Sequence, residues 1–132
     1  MFRVHDANVA DTEVLMYLPP KELEAIEMGE ALTYSDQGLT KCAATDRPQY
    51  ICRGIKTADG LIPVAPVMES TRYEVPYQAK PTVGKKVTLH TDGLQITATD
   101  TNGVFLVESV DAAPGTAIGR FVWSYKDPAA SA

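Results

Sequence analysis

The sequence predicts an all-β protein, a single small β-barrel or sandwich built from hairpins and led by an extended N-terminal arm. Three observations predict it. From residue 30 onward, turn-forming clusters recur about every eight to twelve residues. The runs between them alternate apolar and polar side chains, the period of a half-buried strand. At 132 residues the chain has length for one domain with a sizeable core and little room for a second.

Taken in order, residues 1 to 12 mix Phe2, Val4 and Val9 with polar residues and show no period. They read as an arm that is ordered only where something receives it. Val14, Leu15, Met16, Tyr17 and Leu18 then form a dense apolar run stopped by Pro19-Pro20. It is too short for a helix, so an edge strand or an extended docking segment is expected. Residues 21 to 29 suit a short helix by propensity, yet Leu23 and Ala25 also alternate with Glu22 and Glu24; the β pattern that follows tips the reading towards a strand. Ala31-Leu32-Thr33-Tyr34 and Leu39-Thr40-Lys41-Cys42 flank Ser35-Asp36-Gln37-Gly38, which predicts a hairpin. Asp46-Arg47-Pro48 breaks the chain before a strand over residues 50 to 55, and Ala58-Asp59-Gly60 turns it into residues 61 to 67. Pro63 and Pro66 each remove a ladder donor there, so that segment is expected at a sheet edge or a barrel corner. Residues 72 to 77 read as a further strand.

The strongest pattern lies in residues 83 to 125, which read as a meander of four strands. Val87, Leu89 and Thr91 alternate with polar residues, Asp92-Gly93 follows, and Leu94, Ile96 and Ala98 alternate again. Asp-Gly between alternating runs signals a two-residue type I′ hairpin, whose central residues both take positive φ. In that register Thr91 faces Leu94, Leu89 faces Ile96 and Val87 faces Ala98, while His90 meets Gln95 and Thr88 meets Thr97. Asn102-Gly103 turns into residues 104 to 110, apolar in both alternating sets and so expected to be covered on both faces. After Pro114-Gly115, Phe121, Trp123 and Tyr125 fall on one side of the last strand. The expected layout is an arm over 1–20, a β-domain over 21–126 and a disordered tail over 127–132.

Charge is unevenly placed. Of the net −5, all falls in residues 1 to 30, where seven acids face Arg3 and Lys21; the rest holds ten acids and ten bases. Such a chain is a poor match for nucleic acid, which needs clustered Lys or Arg. No apolar run approaches the roughly 18 residues that span a bilayer, and polar residues interrupt the first ten, so neither a membrane span nor a signal-peptide core is expected. An acidic segment can dock on a basic protein surface or stay solvated. Cys42 and Cys52, the two cysteines, are expected to be reduced, buried and dispensable for chemistry. His5 and His90 are the two histidines; no ligand spacing joins His90 to the cysteines, so no metal is expected and His90 reads as a solvated strand residue. No Gly-x-Ser-x-Gly elbow, phosphate loop or paired carboxylate in a cleft points to catalysis, and no cofactor is expected. The Phe121, Trp123 and Tyr125 stripe could stack a sugar or a base, though packing is its commoner fate.

The run Gly84-Lys85-Lys86-Val87-Thr88-Leu89-His90-Thr91-Asp92-Gly93-Leu94-Gln95-Ile96-Thr97-Ala98-Thr99, with Gly103-Val104 and Gly119-Arg120-Phe121, resembles small proteins encoded beside the major capsid protein of tailed phages and prophages. Gly29-Glu30-Ala31-Leu32, Gly38-Leu39-Thr40-Lys41 and Tyr50-Ile51-Cys52 extend the likeness, which covers about residues 24 to 124. The resemblance implies a head decoration, or cement, protein: a β-rich subunit that binds the outside of an icosahedral shell and reinforces it. It further implies the major capsid protein as partner, a homo-oligomer with a trimer favoured, and a place on the virion surface after synthesis in the host cytoplasm. In that setting Phe2, Val4, Leu15, Met16, Tyr17 and Leu18 are the expected partner-binding residues, on an arm the β-domain can fold without. Asp92, Gly93, Asn102 and Gly103 are expected as structural turns. The alternatives are a carbohydrate- or receptor-binding β-module using the stripe near Trp123, and a small metal enzyme around His90.

Overall fold

Alternation along the chain is realised as ten strands in two five-stranded antiparallel sheets, with no helix among the described residues, in a computed structural model that describes residues 1–6 and 15–123. The strands are β1 (Arg3–Asp6), β2 (Met16–Leu18), β3 (Ala31–Ser35), β4 (Gly38–Lys41), β5 (Tyr50–Cys52), β6 (Ile62–Pro66), β7 (Arg72–Pro76), β8 (Lys86–Val87), β9 (Phe105–Asp111) and β10 (Thr116–Phe121). One sheet runs β2-β6-β5-β3-β4 and the other β1-β7-β10-β9-β8. The first is thus made from one continuous stretch of chain, and β1 alone is out of sequence in the second. Neither sheet closes its strand ladder, so the expected choice of barrel or sandwich resolves as a sandwich. Each does curl enough for isolated bridges to reach round. Pro20, just beyond β2, pairs with Leu39 of β4, and Ile96 bridges both Leu89 beyond β8 and Tyr77 beyond β7.

Burial follows the two-residue period. Ala31 and Ile51 enter a core shared with the second sheet, whereas their neighbours Leu32 and Cys52 join Leu39, Ile62 and Val64 in a second cluster on the opposite face. Leu18, Ile26 and Tyr50 pack against that second cluster, so the first sheet is covered on both sides. At the heart of the shared core four aromatic rings meet. Phe2 lies 5.1 Å from Phe121, 6.0 Å from Phe105 and 6.4 Å from Tyr73, measured between ring centroids.

That placement corrects the division of the chain. The first twenty residues give a strand to each sheet: β1 pairs with β7 through Arg3↔Glu74 and Val4↔Tyr73, and β2 pairs with β6 through Met16↔Val64 and Leu18↔Ile62. Phe2 is fully buried and so is an interior residue and not a docking residue, while Val4 packs half-buried against the shared core and Leu18 half-buried against the second cluster. Burying a phenylalanine stabilises by roughly 1.5 to 3 kcal/mol, so Phe2 alone makes the arm part of the body. The expected tail and residues 7–14, which include Val9 and Val14, lie outside the described residues, as does Tyr125.

Local expectations met tertiary structure with mixed results. The hairpin at residues 31 to 42 forms, closing on Asp36-Gln37 through Ser35↔Gly38. Residues 21 to 29 are neither helix nor strand but irregular chain with two turns. The proline-bearing segment is β6, which lies between β2 and β5 and not at an edge. It is tolerated because proline lacks only the donor: the Pro63 carbonyl still accepts from the Arg53 N–H at 2.9 Å, just past the end of β5. In β9, Phe105 and Val107 are buried while Leu106 and Glu108 are half-exposed, so one face is covered and not both.

The Asp92-Gly93 hairpin keeps its register but not its turn. Leu89 bridges Ile96, the Thr88 and Thr97 hydroxyls are 2.7 Å apart, and the His90 N–H donates to the Gln95 carbonyl at 2.9 Å. Thr91 and Leu94 do not pair. The Gly93 N–H donates to the His90 carbonyl, and of the two turn residues only Gly93 has positive φ, at 70°, which excludes type I′. A four-residue loop results, tied by Asp92, whose carboxylate accepts from the Leu94 N–H at 2.8 Å and the Gln95 amide at 2.7 Å. Val87 pairs with Phe105 and not with Ala98, so the meander has three strands, β8 to β10, joined by bridges at Leu89 and Ile96. At Asn102-Gly103 it is Asn102 that takes positive φ, 58°. Gly103 is required for a different reason: a Cβ there would sit 1.9 Å from the Lys86 carbonyl oxygen.

Candidate functional site

Groups capable of chemistry are scattered. Among the described residues no three of His, Cys, Asp and Glu are placed to share a metal ion. Nδ1 of His90 accepts from the Asp92 N–H at 3.2 Å and lies 3.3 Å from an Asp92 carboxylate oxygen, a local loop contact. Cys42 and Cys52 are buried thiols in different clusters, one on each face of the first sheet and not joined by a disulfide, as the expectation of buried core cysteines requires. Their sulfurs donate to the Asp46 and Gly54 carbonyls, each at 3.1 Å. Burial pushes the Cys52 thiol above its usual range, the reverse of an activated nucleophile.

Glu30 is the one buried carboxylate among the described residues. One oxygen accepts from the Glu27 N–H at 3.4 Å and the other has no partner. Burial pushes its pKa up, partly offset by that hydrogen bond and by Lys41. Its backbone explains why it is inside: the Glu30 carbonyl accepts from Cys52, and the next residue, Ala31, donates to Gly93, so Glu30 sits where the first sheet meets the Asp92-Gly93 loop. It is a junction residue.

What the surface does offer is apolar. Leu15, Met16 and Tyr17 are exposed, Tyr17 by 53 %, along an edge strand anchored on one side by β6 and at its end by Leu18. Successive side chains of a strand point to opposite faces, so this edge is apolar both ways, with Met16 on one face and Leu15 and Tyr17 on the other. Of the six arm residues named from sequence, these are the three the fold leaves accessible. The aromatic stripe is divided: Phe121 is core, and Trp123 is exposed with the Arg47 guanidinium 4.8 Å from its ring centre.

A further exposed apolar residue carried no signal in the sequence. Leu23 is 99 % exposed and has φ of +65°. It stands at a turn beside a hollow of about 400 Å³ lined by Lys21, Glu22, Leu23 and Gln37. Sequence reasoning passes over it because positive φ is expected of glycine or asparagine and not of leucine. Compared with protein-family models, with curated proteins and with solved structures, the chain matches none.

Proposed function

We propose that the chain is a non-enzymatic structural protein that binds an icosahedral phage shell as a decoration protein, with the major capsid protein as its partner. The observation that carries the reading is the edge strand β2, which keeps Leu15, Met16 and Tyr17 in solvent. An apolar sheet edge is an aggregation hazard in a free subunit, and a fixed partner surface removes the hazard by covering it. The acidic front segment supports the same reading, since it offers attraction to a basic surface while the rest of the chain is neutral. So does the resemblance in residues 84 to 99. A trimer is the assembly proposed with it.

The test is co-sedimentation with shells assembled from the proposed partner, a phage major capsid protein. The wild type is expected to pellet with the shells, more weakly as salt rises. Tyr17→Glu with Met16→Glu is expected to reduce binding at least tenfold while the melting curve stays cooperative, because both side chains are outside the core. Binding by the double variant at wild-type strength would refute the edge as the docking surface. Trp123 supports a glycan-binding reading instead, its exposed ring held by Arg47. Binding on a glycan array that is lost in Trp123→Ala would favour that reading.

A further inference from the structure

The turn at residues 21 to 24 breaks a local rule, and packing of the side chain concerned does not compensate for it. The Glu24 N–H donates to the Lys21 carbonyl at 3.0 Å, and the third residue of the turn, Leu23, has φ of +65° while Glu22 does not have positive φ. These are the marks of a type II turn, whose third position favours glycine or asparagine. A leucine there strains its backbone, and since Leu23 is 99 % exposed its side chain recovers nothing from packing. The turn is nevertheless held firmly at both feet. The Lys21 N–H donates to the Leu39 carbonyl at 3.0 Å, and the Glu24 carboxylate accepts from the Lys41 N–H at 3.2 Å, which fixes it against the outer side of β4. A strained, rigidly mounted, fully exposed apolar side chain is the signature of a contact preset for something outside the chain.

We propose that Leu23 is a docking knob that enters an apolar socket rimmed by Lys or Arg on the shell protein. The inference rests on the proposed function and deepens it by naming a second contact beyond β2 and the chemistry of its receptor. Charge selects the rim. Glu22, Glu24 and Glu27 accompany Leu23 at the surface of the same segment against Lys21 alone, so a socket with a basic rim attracts it and an acidic rim repels it. Fixing the turn's backbone before contact spares the ordering cost that a flexible loop would carry into binding.

Leu23→Asn separates this role from a structural one. Asparagine tolerates the left-handed backbone, so the variant is expected to melt about 2 to 5 °C higher than the wild type. In the same co-sedimentation assay its shell binding is expected to fall roughly ten- to a hundredfold, the equivalent of one buried leucine. Glu22→Gln is expected to flatten the salt dependence of binding. Wild-type binding by Leu23→Asn would overturn the knob and leave the decoration reading standing. Failure of the wild type itself to bind shells would overturn both. Analytical ultracentrifugation of the free protein supplies the last arm: self-association lost in Leu23→Asn with shell binding intact would assign Leu23 to a second copy of this chain and overturn the basic-rimmed socket.

Discussion

Replacing Phe2 with alanine puts the position of the first residues to a quantitative test. Phe2 is fully buried and touches three other rings, with Tyr73 and Phe105 in edge-on arrangements. Phe→Ala in a core costs about 3 to 5 kcal/mol, and the lost edge-to-face contacts place this site towards the upper part of that range. A chain of this length has a total stability of roughly 7 to 20 kcal/mol, so one substitution, at the residue next to Met1, removes about a fifth to two-thirds of it. With a urea slope of about 2 kcal/mol/M, the unfolding midpoint should fall by roughly 1.5 to 2.5 M. Equilibrium urea denaturation followed by near-UV circular dichroism reads the shift, since the affected rings are themselves the chromophores. A midpoint lowered by less than about 0.5 M would refute the placement of Phe2 in the core and return residues 1 to 6 to the status of a separable arm.

Three other outcomes follow from the same geometry. Gly103→Ala should destabilise by about 3 kcal/mol or more, because its methyl would press on the Lys86 backbone and β8 must move; a melting temperature within a degree or two of wild type would contradict the close approach. Glu30→Gln should raise stability at pH 7. Glu30 has its pKa raised from 4.5, so the folded chain keeps that proton to higher pH than the unfolded one; the stability it supplies is full below about pH 4.5 and is lost as pH rises through the folded value. The difference between Glu30→Gln and wild type in thermal melts should therefore shrink towards pH 4, and a gap that widens instead would reverse the argument. Asp92 runs the other way: burial opposes ionisation, but hydrogen bonds from Leu94 and Gln95 outweigh it, so its contribution is lost only as pH falls below about 3.8. Cys42 and Cys52 should resist iodoacetamide in the native protein and both react after denaturation, with an intact mass that shows no disulfide; fast native labelling would place a thiol at the surface.

Which parts of the fold were legible depended on how far apart the partners lie in the chain. Leu89 with Ile96 and Tyr34 with Leu39 are neighbours in sequence, so alternation and turn residues were enough to pair them. The same alternation misplaced Val87, because Phe105 offered it a ladder beyond the hairpin. Asp92-Gly93 lost its type I′ turn to tertiary demands: the Gly93 carbonyl accepts from Ala31, and the Asp92 carboxylate captures Leu94 and Gln95. Phe2 is hidden from such a reading because β1, the strand that follows it, pairs about seventy residues away and no local period announces it. Of the candidate site, the β2 residues stood out as an apolar run, whereas Leu23 is conspicuous only through its backbone angle.

The arrangement of the two sheets bears on the order in which a growing chain can fold. Every strand of the sheet β2-β6-β5-β3-β4 has left the ribosome once residue 66 is out, so that sheet can assemble while the rest is still being made. Strand β1 cannot do the same, since β7 comes later and the rings that enclose Phe2 end with Phe121. The first of these ten strands to be synthesised is thus among the last to be placed. Until then the nascent chain carries an unpaired strand and an exposed phenylalanine, and completion waits on the most sequence-distant strand pairing among the described residues, the kind of contact that forms slowly.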